Sequence, residues 1–88
     1  MKLLIAILND VDAEEVLRAL VERGFRATRI ASTGGFLRRG STTLLIGLES
    51  DRTDTAMELI REACGAPTEP SQRRATVFVV DVARFEQL

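Results

Sequence analysis

The 88-residue chain carries 12 basic and 13 acidic side chains, a formal net charge of −1, and no His, Tyr or Trp. Bulk attraction to nucleic acid or to an anionic membrane is therefore not expected, and the commonest general base is missing. Its single cysteine excludes an intramolecular disulfide and a thiolate metal cluster.

Apolar residues make up 45% and charged residues 28%, the balance of a globular chain rather than a disordered one. The length predicts one domain over residues 1–88, with a core small enough that oligomerisation would be a natural supplement. Charge is unevenly spread. Lys2 is the one lysine, and between Glu22 and Glu49 no acid occurs while Arg23, Arg26, Arg29, Arg38 and Arg39 all do. That segment is a local cationic field in a near-neutral chain.

Residues 2–8 are a continuous apolar run, which predicts a central strand. The run is too short for a membrane span and lacks a small-residue cleavage site, so a cytoplasmic location is expected. Asp10 or Asp12 is then placed to cap a helix, with Glu15 at the capping-box position for Asp12. Val16, Leu17, Leu20 and Val21 form its inward face, and Gly24 ends it. Residues 25–32, "FRATRIAS", read as a polar edge strand. Residues 42–48 read as a second apolar strand. Asp51 opens the next helix, with Ala56, Met57, Ile60, Ala63 and Cys64 inward and Gly65 as its stop. Cys64 reads as a small buried hydrophobe. Residues 66–72 hold both prolines and form a loop, residues 74–82 form the last strand, and the tail "ARFEQL" is expected to dock back through Phe85.

A weak repeat at offset 41 supports this division: Leu3, Leu4, Ile5, Asp10 and Gly24 have identical counterparts at Leu44, Leu45, Ile46, Asp51 and Gly65. The order βαββαβ, with two right-handed crossovers, predicts an α+β ferredoxin-like sandwich. Its four-stranded antiparallel sheet takes the order 4-1-3-2, with two helices on one face. Three strands are apolar on both faces, although two helices cover only one. A second copy of the chain is the expected cover for the other.

Residues 31–43, "ASTGGFLRRGSTT", do not fit an ordinary hairpin turn. Gly34 and Gly35 allow a ligand to approach backbone N–H groups, as in an anion-binding nest. Arg26 leads into the loop and suits bidentate phosphate contact. Phe36 offers a surface on which a base can stack, and Thr28, Ser41, Thr42 and Thr43 bring hydroxyls to its feet. Together these suit an aromatic, negatively charged small molecule. Each residue also has a plainer role: Phe36 and Leu37 as loop anchors or a subunit contact, Arg38 and Arg39 as a solvated tip, Arg26 as an edge cation facing water. Gly47 reads as a bulge, as helix packing, or as room for a ligand against the strand. Phe78 reads by default as core.

The string "GFRATRIASTGGFLRRGSTTLLIG" closely resembles the signature of the cyclic-di-AMP receptor family, PII-like signalling proteins. The resemblance runs from Met1 to about Gly65 and resumes over residues 75–88. It implies the same fold, a homotrimer, and nucleotide binding in the clefts between subunits without enzymatic activity. By this resemblance Arg26 meets a phosphate and Thr28 hydrogen-bonds the nucleotide. Gly35, Phe36 and Leu37 line the adenine pocket, Gly47 gives room beside the base, and Phe78 and Gln87 complete the site. Ser41 stands where the family usually has Asn, replacing a donor and an acceptor by one short hydroxyl. The lost contact would cost about 1 kcal/mol, roughly five-fold in affinity. The family's long loop before the last strand, ending in Gly-Gly, is only residues 66–74 here and ends in Arg73–Arg74.

The expected function is thus a signal receptor for cyclic di-AMP or a related adenine nucleotide, acting on an unidentified downstream protein, with no cofactor, metal, nucleic-acid or membrane partner. The alternatives are a PII-like oligomer with a degenerate or different small-molecule site, an RNA-binding domain of the same βαββαβ order, and an amino-acid-sensing module.

Overall fold

The computed structural model describes residues 1–30, 40–65 and 75–88. In chain order it contains β1 (Lys2–Asn9), α1 (Asp10–Glu22), β2 (Arg26–Ile30), β3 (Ser41–Leu48), a 3₁₀ turn (Ser50–Arg52), α2 (Thr53–Cys64) and β4 (Ala75–Asp81). All strand pairs are antiparallel and the order across the sheet is β2-β3-β1-β4. This is the expected ferredoxin-like order read from the opposite edge. β1 and β3 are central, and β2 and β4 are the edges.

Alternation along the strands divides the sheet into two faces. Leu4, Ala6 and Leu8 of β1 and Leu44, Ile46 and Leu48 of β3 point to the helices and are buried. Ala13, Val16 and Leu20 of α1 and Ala56, Ile60 and Cys64 of α2 close over them. Truncating one such side chain, Leu4→Ala for example, removes about 2–5 kcal/mol because the packed layer cannot collapse into the space. The inward face of α1 lies one residue N-terminal of the expected one: Ala13 is buried and Val21 is 56% exposed. The i, i+3, i+7 series from Ala13 sets the buried stripe, and Val21 falls beside it.

Two helix starts differ from expectation. Asn9, not Asp10 or Asp12, occupies the N-cap of α1, in extended conformation and without a side-chain cap. Asp10 instead accepts a hydrogen bond from the Thr42 hydroxyl, and its N–H donates to the Gly40 carbonyl at 2.8 Å. These two bonds tie the first turn of α1 to the start of β3. α2 starts at Thr53 because Asp51 lies within the preceding 3₁₀ turn.

The end of α1 is a Schellman motif. The Gly24 N–H donates to Val21 O at 3.0 Å and the Phe25 N–H to Leu20 O at 2.9 Å. Gly24 has φ +83°, a conformation that glycine adopts without steric cost. Phe25 is buried beneath the motif, and Arg52 stacks on it, 3.9 Å from the ring centroid. The same guanidinium donates to the Arg23 carbonyl at 2.9 Å, satisfying one of the orphan acceptors at the helix end. The tail does not dock as expected: Phe85 is 58% exposed, and Arg84 pairs with Glu86 beside it.

Candidate ligand-binding face

The face turned away from the helices is laid out by strand register. One cross-strand row runs Arg26–Gly47–Leu3–Val80, and the next runs Thr28–Leu45–Ile5–Phe78. A third runs Ile30–Thr43–Ile7–Thr76, and Ser41 stands opposite Asn9 at the end of β3. Register therefore brings Arg26, Thr28, Ser41, Gly47 and Phe78 onto one surface, the surface without helices. Within it, Arg26 and Thr28 are neighbours on the β2 edge, and Gly47 lies directly across from Arg26. Phe78 belongs to β4 on the opposite edge, three strand spacings or about 14 Å from Thr28. Gln87 lies exposed in the tail beyond β4. Gly35, Phe36 and Leu37 lie outside the described residues, as do Arg73 and Arg74.

Arg26 differs from its neighbours in charge pairing. Among the described residues, Arg18, Arg29, Arg61 and Arg84 each pair with a glutamate; Arg23, Arg26 and Arg52 have no carboxylate partner, and of these three Arg26 is the one on the face away from the helices. Arg29 is three residues away and so on the helix side, 3.2 Å from Glu14 of α1. A lone guanidinium on an apolar face is a ready partner for an anion.

Gly47 is neither a bulge nor a site of helix packing. Pairing continues through it to Leu3 and to Arg26, and it faces away from α1 and α2. A Cβ added there would meet only the Met1 Cε, at 3.7 Å. Among the described residues, the space that a side chain would take beside Arg26 is met by the Met1 methyl and not by backbone.

The hydroxyls divide by face. Thr42 points to the helix side and is engaged with Asp10. Thr43 is on the opposite face, 5% exposed, and its Oγ1 has no hydrogen-bond partner among the described residues. A buried unpaired hydroxyl between Ser41 and Leu45 was not distinguishable from its neighbours in the sequence, because a three-residue run of hydroxyls does not reveal which one is left without a partner.

Around these polar groups the face is apolar. Leu3, Ile5, Ile7 and Leu45 form its centre, and Ile30, Phe78 and Val80 are 39%, 54% and 42% exposed at its edges. The centre is aliphatic where an RNA-recognition domain places stacking aromatics. A concavity of about 330 Å³ on the helix side, between α2 and β4, is lined by Met57, Ile60, Cys64, Ala75 and Val77 and shares none of these groups. Among the described residues there is no cluster of three or more His, Cys, Asp or Glu able to hold a metal ion, and no helix long and apolar enough to cross a membrane.

The βαββαβ order, with a four-stranded antiparallel sheet and two helices, places the chain in the class of small α+β ferredoxin-like domains. Within that class the comparison with known proteins is specific. The cyclic-di-AMP receptor family matches residues 1–72, and the chain belongs to that family. The match ends within residues 66–74, so β4 and Gln87 lie beyond it. Among solved structures the chain is similar to a functionally unknown protein from Pediococcus pentosaceus ATCC 25745. The two share 36% identity with a TM-score of 0.78, over 99% of this chain and 96% of that one.

Proposed function

We propose that this chain is a non-enzymatic signal receptor that binds cyclic di-AMP, or a related adenine nucleotide, in clefts between the subunits of a homotrimer. Family membership supports the ligand class. The observation that carries the reading is the row Arg26–Gly47: an unpaired guanidinium beside a strand position with no side chain, on an apolar face. A phosphate pairs with the first while a purine fits against the second.

The split between sheet edges supports a site shared by subunits. Arg26 and Thr28 lie on the β2 edge and Phe78 on the β4 edge, too far apart to grip one base together. In a cyclic trimer the contacts are heterologous, so one edge of a protomer meets a different edge of the next. Phe78 of one copy then completes a site begun by Arg26 and Thr28 of its neighbour. Gly35, Phe36, Leu37, Ser41 and Gln87 are assigned to the same cleft by the family resemblance. Ligand binding would alter the loops around the cleft and, through them, contact with a downstream protein.

Isothermal titration of the oligomer against cyclic di-AMP, ATP and cyclic di-GMP tests the proposal. Saturable heat with cyclic di-AMP at one site per protomer is expected. Absence of heat with all three nucleotides would overturn it.

A further inference from the structure

The hollow over Gly47 has an occupant. The Met1 Cε lies 3.7 Å from where a Gly47 Cβ would stand, so the thioether covers the one position on β3 of this face that lacks a side chain. Met1 is held there by its backbone, since its carbonyl accepts a hydrogen bond from the Val82 N–H at 3.1 Å. The next residue, Lys2, is pinned to Asp81. The backbone is anchored while the residue remains 41% exposed. An unbranched thioether with three rotatable bonds is suited to fill an irregular space and to leave it.

Resting on the proposed nucleotide site, we infer that Met1 is part of it. Its side chain fills the Gly47 hollow in the unliganded chain, is displaced by the purine, and then packs its sulfur and methyl against the base. Sulfur–aromatic contact makes the exchange favourable, and no backbone rearrangement is needed because the anchor is the Met1 carbonyl. A planar heteroaromatic ring is the chemistry this arrangement takes: thin enough to enter over a glycine, and polarisable enough to profit from the thioether. Arg26, in the same row, holds the attached phosphate.

The chain has two methionines, which makes the test direct. Met57 lies on α2 and lines the cavity on the helix side of the sheet, so it serves as an internal reference. With ¹³Cε-methionine labelling, cyclic di-AMP is expected to shift the Met1 methyl resonance and give cross-relaxation between that methyl and the adenine protons, with Met57 unmoved. Met1→Ala, produced behind a cleavable leader, is expected to bind about three- to ten-fold more weakly. Calorimetric binding with an unmoved Met1 methyl, or a shift without cross-relaxation to the base, overturns the inference and leaves the receptor reading intact. Wild-type affinity in Met1→Ala overturns it as well. Absence of calorimetric binding by the wild-type chain removes both together.

Discussion

Two arginines three residues apart on one strand separate charge from position. Arg26 is on the face away from the helices, without a carboxylate partner among the described residues, and Arg29 is on the helix side against Glu14. Arg26→Ala is expected to weaken cyclic di-AMP by at least about ten-fold, the loss of a charge-assisted bidentate contact. Arg29→Ala changes affinity by less than about two-fold, since an exposed ion pair contributes little. Equal losses in a calorimetric titration would mean that overall cationic charge, not the Arg26 position, attracts the ligand. Glycines divide in the same way. Gly24 needs φ +83°, so Gly24→Ala is expected to destabilise the fold by about 1–2 kcal/mol. Gly47 has ordinary strand backbone and open contact with Met1. Gly47→Ala should leave urea stability unchanged or raise it by up to about 1 kcal/mol, yet weaken the nucleotide. Thr43 adds a third case: its buried Oγ1 has no partner. Thr43→Val is expected to stabilise the unliganded protein by about 1 kcal/mol, because the removed hydroxyl was desolvated without return.

At the level of elements, the sheet's outer strand ends are joined by charge. Lys2 opens β1 and Asp81 closes β4, and the two are directly opposite in register. The Lys2 hydrogen bond, and then its charge, hold the Asp81 carboxyl below its ordinary value of 3.8. A depressed folded-state value means that the pair's support is complete above the unfolded-state pKa and disappears as pH falls through the lower, folded one. NMR titration of Asp81 should give a midpoint below that of a free aspartate, and Lys2→Met should return it to the ordinary range. The elements themselves were legible from the sequence because two signals agreed at each: period and punctuation. The apolar runs at 2–8 and 42–48 and the glycines at 24 and 65 placed strands and helix ends within a residue or two. The helix starts were less legible. Several acids compete at each, and the winner is decided by a tertiary partner: Thr42 recruits Asp10 away from capping. Of the candidate site, the neighbouring placement of Arg26 and Thr28 on one face was legible because one strand motif holds both. The contact of Met1 with Gly47 was not legible, because it arises only when β1 pairs with β3.

The whole molecule presents an unresolved imbalance: a helix layer on one face of the sheet and Leu3, Ile5, Ile7, Leu45, Phe78 and Val80 on the other. Scattered apolar groups on a surface need no explanation, but a contiguous set rimmed by polar residues marks an interaction face. β4 sharpens the point, since Phe78, Val79 and Val80 are consecutive and all about half-exposed. An exposed, flat, apolar edge strand is an aggregation hazard unless another chain covers it. The proposed trimer covers both face and edge, and it does so with the same contacts that bring Phe78 of one copy toward Arg26 of the next. Assembly and ligand binding should therefore fail together. Ile5→Glu puts a carboxylate at the centre of the face, on the side opposite the helices, where the isolated fold still has water to solvate it. The variant is expected to keep the circular dichroism of the wild type, to run as a 9.7 kDa particle in light scattering, and to give no heat with cyclic di-AMP. A folded monomer that still bound the nucleotide would place the whole site within one chain, and the shared cleft would have to be abandoned.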